Sequence, residues 1–547
     1  MDRRTFIRGV GLGTLAANAL ANGKLARALM ADDKGTPGET VPTASGKVRG
    51  LAQNKVQTFR GIRYGASTEG AGRFMPPMKV AAWTDVKEVY EFGPRAPQLN
   101  NQFKGQVPPE FESMDPEGPM SEDCLCLNLW TASVGRNQQR PVMVWLHGGG
   151  FTTGSGAFIC YDGTELARKH DVVAITLNHR LNVFGYLYLP EVGGEKYANA
   201  SNVGMLDIVA ALEWVRDNVE AFGGDPNNVT IFGQSGGGGK VSALMAMPSA
   251  KGLFHRAIVE SGADVRGVPT AAGTKSAEAF MAKLGLQPNQ VDQLQALPMD
   301  QLLTTMGSMT GGGAPGVGGL ALAPVVDGKT LPTNPFDPTA PELSANVPLL
   351  IGTTETEVTF FPGQILDPID AADLHTRVKQ TLRAADDSQV DDLIAVYRKD
   401  RPDATNTDLY LIIASDATFR AGVLVEADRK AQQDKAPCYQ YYFTWRSPVR
   451  DGKLRSFHTL EIPFVFDNVD AAQSMTGDGS DRHALAAKVS GAWVAFARTG
   501  DPNHSGIPHW PPFDTKTRSV MIINDEWKVV DDPHGDSRRA LQALQHA

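Results

Sequence analysis

The sequence predicts an α/β fold, a mostly parallel, doubly wound central sheet with helical insertions over its C-terminal edge. Three observations predict it. First, continuous apolar runs at 142–146, 172–177 and 229–232 read as strands buried on both faces. Second, Met205, Ile208, Val209, Leu212, Val215, Val219 and Phe222 recur at helical spacing over about 204–222, and Gly223-Gly224-Asp225-Pro226 stops that helix. Strands that alternate with helices in this way build a parallel sheet. Third, the run at 229–232 ends in Gly233-Gln234-Ser235-Gly236-Gly237, a strand, a sharp turn and a helix start with one hydroxyl at the apex. Gly-x-Ser-x-Gly in that context is a nucleophile elbow.

The other elements follow from the same rules. Residues 29–46 are polar, with Pro and Gly, and read as a leader. Residues 47–62 alternate through Val48, Val56, Phe59 and Ile62 and predict a small antiparallel sheet. The Pro-rich stretch 74–120 reads as loop, and 125–130 as an alternating strand. Further core strands are expected at 257–259, 348–351 and 439–443. Helices are expected at about 274–285 and 290–307 and through most of 370–435. No repeat or linker divides the chain. Residues 29–547 therefore read as one elaborated domain, despite a length of 547 residues.

Composition excludes several classes. The chain is 42% hydrophobic and 21% charged, with a net charge of −9 and no long basic block, which argues against a nucleic-acid partner. No apolar run is long enough to span a bilayer. Residues 1–28 differ from the rest. Arg3-Arg4 precedes a weakly apolar stretch, and small-x-small sites follow at 19–21 and 26–28. This predicts a twin-arginine signal peptide, cleaved on export to the periplasm or beyond. Cys124, Cys126, Cys160 and Cys438 show no metal-ligand spacing and read as small buried hydrophobes. Gly236–Gly239 before Lys240 imitates a phosphate loop. However, Gln234 stands where the first glycine belongs, and Val241 follows the lysine where Ser or Thr is required. No metal and no cofactor are expected, and oligomeric state is not legible.

A serine hydroxyl needs a base and oxyanion donors. His147-Gly148-Gly149-Gly150 ends a core strand before the elbow, and its bare glycines leave backbone N–H groups accessible. The N–H groups of Gly149, Gly150 and Gly236 are the candidate oxyanion hole. An ordinary strand-end loop is the alternative reading of the glycine run alone. For the acid, Glu355 and Glu357 both follow a core strand. For the base, His458 lies in a loop after the strand at 439–443, and the other histidines lack such a context.

At this point the chain resembles the type-B carboxylesterases, the cholinesterase-like family of α/β hydrolases. The similarity runs through Ser121-Glu122-Asp123-Cys124-Leu125, Gly148–Phe151, Asn202–Asp207, the elbow, Pro324–Gly328 and Phe496–Pro502. The resemblance implies a triad of Ser235, Glu357 and His458. It selects Glu357 over Glu355 by spacing from Gly352 and from Phe360-Phe361. It also implies Gly149, Gly150 and Gly236 as oxyanion donors. The expected activity is hydrolysis of small-molecule carboxylic esters through an acyl-enzyme on Ser235. Amide or carbamate hydrolysis on the same triad is the alternative, and a non-catalytic binding member is the remote one. The chain departs from the family at Gln234, where Glu is usual, and at Gly236, where Ala is usual. No tryptophan stands where cholinesterases stack choline, and the animal disulfide partner of Cys124 would fall near Ala96. Loss of the elbow carboxylate weakens the case for a cationic ester. The pocket walls are expected from 100–120, 310–319, Phe360-Phe361 and Trp445.

Overall fold

A sheet of thirteen strands runs through the molecule in the computed structural model, which describes residues 35–99, 108–114, 118–309, 319–383 and 385–546. Three antiparallel strands open it: β1 (Thr36–Pro42), β2 (Lys47–Gln53) and β3 (Val56–Arg63), with β4 (Val86–Glu88) beside β2. β5 (Cys126–Thr131) continues the antiparallel edge. The parallel centre follows in spatial order: β7 (Val173–Leu177), β6 (Arg140–Leu146), β8 (Gly224–Gln234), β9 (Arg256–Glu260), β12 (Leu349–Thr354), β13 (Cys438–Phe443) and β14 (Ser519–Ile523). β15 (Lys528–Asp531) closes the far edge antiparallel. A separate pair, β10 (Val268–Pro269) and β11 (Val325–Val326), lies outside this sheet.

The central strands are apolar throughout because each face of the sheet meets a different core. Val142, Val144 and Leu146 of β6, Ile231 of β8 and Val259 of β9 enter one core. Met143 and Trp145, Phe232 and Ile258, one residue out of phase, enter the other. Alternate side chains of a strand leave on opposite faces, so both phases must be apolar. Full burial of each such side chain contributes roughly 1.5–3 kcal/mol. A third core forms among the helices at Ala371–Leu382, Asp387–Asp400 and Asn406–Ser415, around Val378, Leu393, Tyr397 and Ile413.

Several expectations change. The polar stretch read as leader contains β1, an exposed edge strand whose order comes from pairing with β2. β5 is buried at every position, Asn128 included, because neighbours cover both its faces and Thr176 Oγ1 accepts from the Asn128 amide at 2.9 Å. The helix expected at 204–222 spans Val203–Asn218 and tightens to a 3₁₀ turn at Val219–Phe222. The single helix expected at 290–307 is two, Val291–Ala296 and Met299–Met309, broken at Pro298, which has no N–H to donate. All four cysteines are buried and unbridged. The signal peptide at 1–28 and nearly all of the glycine-rich loop at 310–319 lie outside the described residues. Among the described residues, no helix is long and apolar enough to cross a membrane.

Candidate active site

The elbow follows from β8 and the helix Gly236–Ala246 meeting at one residue. Ser235 adopts φ 57°, ψ −127°, a conformation that L residues rarely take and that marks stored strain at functional sites. Neighbours hold it there. Its N–H donates to Glu260 O at 2.8 Å. A Cβ at Gly262 would stand 1.7 Å from Ser235 O, so only glycine admits this approach. The helix is pressed against the end of β6, and a Cβ on Gly236 would lie 2.2 Å from Gly150 O. Gly236 and Gly237 thus exchange helix propensity for proximity to the end of β6 and the loop that follows it, and Gly238 for proximity to Glu260 O and Gly262.

Parallel neighbours bring the partners in. β8, β9, β12 and β13 are adjacent, so their C-terminal ends open on one edge, where α/β sheets carry their ligands. Glu357 follows β12 and His458 follows β13, and the two loops are tied together. Thr356 N donates to Ser456 O at 2.9 Å, and His458 N to Glu357 O at 3.4 Å. His458 Nδ1 lies 2.5 Å from Glu357 Oε2, and Thr354 N donates to Glu357 Oε1 at 2.8 Å. A carboxylate accepts, so Nδ1 carries the proton and the lone pair sits on Nε2. Glu357 and His458 are both buried. Glu355 faces away, with its carboxylate 3.3 Å from Arg446.

Gln234 is buried, and its Nε2 stands 3.2 and 3.3 Å from the two ring nitrogens of His458. Being nearly equidistant from both, it does not point along the Nε2 lone pair. The neighbouring Ser235 is half-buried, and among the described residues no hydrogen bond reaches its hydroxyl. Such contacts often tighten only in the substrate complex.

The loop after β6 is fastened from behind. His147 Nδ1 lies 2.8 Å from Gly148 O and, facing a carbonyl, must be the protonated nitrogen. Burial, with the Lys240 charge second, pulls His147 down to about 3, so the ring is neutral. Thr153 N and Oγ1 donate to Gly149 O at 3.1 and 3.2 Å. A trans peptide points its N–H opposite its C=O. The N–H groups of Gly149 and Gly150 are therefore turned away from these anchors. Among the described residues, the N–H groups of Gly149, Gly150 and Gly236 have no hydrogen-bond acceptor.

Aromatic rings flank the imidazole. Phe360, Phe361 and Phe419 lie 5.7, 5.5 and 4.7 Å from the His458 ring centroid. Phe419 escaped the sequence reading. It sits on a π-helical turn, Asp416–Arg420, and such turns recur at functional sites without a sequence signature. Trp445 lies elsewhere. It packs on Phe464 and lines a cleft with Glu355, Arg446 and Asp525 that contains none of Ser235, Glu357 and His458.

Comparison with known proteins decides the family. The model of the carboxylesterase family matches residues 37–540. This chain belongs to the carboxylesterase family. The para-nitrobenzyl esterase of Bacillus subtilis (strain 168) is 36% identical over 508 residues, which cover 92% of this chain and 98% of that protein. The phenmedipham hydrolase of Pseudarthrobacter oxydans is 34% identical over 495 residues, 88% of this chain and 94% of that protein. Among solved structures, an esterase from Clostridium hathewayi superposes with a TM-score of 0.79 at 33% identity, covering 92% of this chain and 98% of the other. The esterase has the α/β-hydrolase fold and is a carboxylic ester hydrolase. Other family motifs are structural in it. The Asp207 carboxylate holds the buried Arg180 guanidinium at 2.6 and 2.8 Å. Asn202 exchanges side-chain bonds of 2.7 and 2.8 Å with the backbone of Val325.

Proposed function

We propose that this esterase cleaves its substrate through an acyl-enzyme on Ser235, with His458 as general base and acid and Glu357 as its orienting carboxylate. The observation that carries this is the 2.5 Å contact from Glu357 to His458 Nδ1, which leaves Nε2 as acceptor beside the strained elbow. His458 takes the Ser235 proton as the hydroxyl attacks the ester carbonyl. Glu357 stabilises the imidazolium. The N–H groups of Gly149, Gly150 and Gly236 receive the tetrahedral oxyanion, aided by the positive end of the helix Gly236–Ala246. Protonated His458 then releases the alcohol, and water repeats the sequence on the acyl-enzyme. Ser235→Ala is expected to lower kcat by about 10⁴-fold or more. Near-parental hydrolysis of p-nitrophenyl esters by that variant would overturn the assignment.

The substrate reading is a neutral ester carrying an aromatic group. Phe361 and Phe419, both half-buried and stacked at 5.8 Å, present a flat apolar wall beside the base, and Gln234 puts no charge there. The relative named para-nitrobenzyl esterase supports this class. In a panel of phenyl, alkyl and choline esters, kcat/KM is expected to be highest for phenyl and lowest for choline. Gln234→Glu is expected to narrow the gap between neutral and choline esters, and an unchanged ratio would refute the charge argument. Amides and carbamates in the same panel decide the alternative leaving groups. The twin-arginine segment supports export of the mature chain, and recovery of that chain only in the cytosol would refute it.

A further inference from the structure

Lys240 is a charged side chain in an unexpected place. It lies on the elbow helix, fully buried, one turn beyond Ser235. Its Nζ donates to His147 O at 3.0 Å and to Gly150 O at 2.7 Å, and it stands 5.2 Å from the centroid of the Phe151 ring. Among the described residues, no carboxylate lies within ion-pair distance of it. Burial alone pulls its ammonium down to about 7.

Stability does not account for this residue. A buried cation without a carboxylate carries a desolvation cost that two carbonyl bonds and one aromatic ring offset only in part. Loop geometry does account for it. His147 Nδ1 anchors the carbonyl of Gly148, Thr153 anchors that of Gly149, and Lys240 anchors the two outer carbonyls, those of His147 and Gly150. All four carbonyls from 147 to 150 thus have donors. The same lysine binds the loop to the helix that carries Ser235 and Gly236, so one side chain sets the distance between the two halves of the oxyanion hole.

We propose that Lys240 is a positioning residue for the oxyanion hole, holding the Gly149 and Gly150 N–H groups at a fixed distance from that of Gly236. This rests on the reading of those three groups as the oxyanion donors. Donors held in place before reaction stabilise the transition state more than the bound ester, so loss of Lys240 falls on kcat rather than KM.

The test compares the parent enzyme with Lys240→Met, a neutral side chain of similar length. Readouts are p-nitrophenyl butyrate kinetics, active-site titration, melting temperature and inhibition by an alkyl trifluoromethyl ketone, whose hemiketal oxygen occupies an oxyanion hole. Lys240→Met is expected to lower kcat per titrated site by about 10- to 100-fold, with KM within about twofold, in a variant whose melting temperature stays above the assay temperature. Ketone affinity is expected to fall by the same factor as kcat. Lys240→Gln, which keeps an N–H donor, is expected to fall between the two, and it carries the test alone if the methionine variant does not fold. Parental kcat and parental ketone affinity in either folded variant overturn the role of Lys240. Failure of the oxyanion reading has a different signature, because Gly236→Ala, which disturbs those donors directly, would then leave ketone affinity at the parent's value.

Discussion

Glu357 shows most clearly how a residue type and its surroundings divide the chemistry. It differs from Glu355 by two positions, and both follow β12, so residue chemistry alone leaves the choice open. Family spacing points to Glu357, and the physical difference between them is where each carboxylate faces. Glu357 is buried against His458 and a backbone N–H, while Glu355 faces the Arg446 guanidinium. Glu357→Gln preserves shape but offers His458 a group that also donates, which favours the wrong tautomer. It is expected to lower kcat by about 10³- to 10⁴-fold, whereas Glu355→Gln should leave kcat within about twofold. Equal effects of the two substitutions would remove Glu357 from its role. His458, Ser235 and the glycines at 149, 150 and 236 were legible because strand ends and turn glycines leave marks in sequence. Phe419 and Lys240 were not. The side-chain directions of both are set by packing, one by a π-helical turn and the other by a loop on a neighbouring strand.

The decisive element is the loop 147–150 pressed on the helix Gly236–Ala246. Its fit explains why glycine replaces the alanine usual after the nucleophile. A methyl group at 236 would meet Gly150 Cα at 2.4 Å and its oxygen at 2.2 Å, so backbone must move. Gly236→Ala is therefore expected to displace the Gly150 N–H from the elbow and to lower kcat by about 10-fold or more, although the substitution favours the helix by up to about 1 kcal/mol. An unchanged kcat would show that the loop yields without cost. The strands of the parallel centre from β7 to β13 were readable because burial on both faces demands unbroken apolar runs. β1 was not, because an edge strand with polar, exposed residues has no such pattern and gains its order from β2. β14 and β15 also escaped the sequence reading. β15 is short and has no buried position, so it carries no apolar run, whereas β14 is as long as β7 and follows a polar stretch with no helix before it to announce a further strand.

Among the described residues, Glu260 and Glu426 are fully buried and Asp264 half-buried, and this has a consequence for stability. Burial raises Glu426 and Glu260 to about 8 and Asp264 to about 7. Glu426 accepts from the Ser242 hydroxyl at 2.9 Å on the side of the sheet behind the elbow helix. Its ordinary value is 4.5, so the folded state binds its proton more tightly than the unfolded state does. Stability from this group is fully present below about pH 4.5 and is lost as pH rises through about 8. The melting temperature of the parent is expected to fall between pH 5 and 8, and Glu426→Gln, neutral throughout, is expected to show a smaller fall. Identical slopes would contradict a protonated Glu426 in the fold. The stretch at 371–415 was legible as helical, but the third core that its helices form was not, since Leu541 joins it from the far end of the chain.

The account stands on Ser235 as the activated nucleophile. Labelling the purified enzyme with a fluorophosphonate probe and mapping the modified peptide tests this most directly. One probe per chain is expected on Ser235, with ester hydrolysis lost in proportion to labelling. A label on another residue, or full labelling of Ser235 with hydrolysis retained, would contradict it.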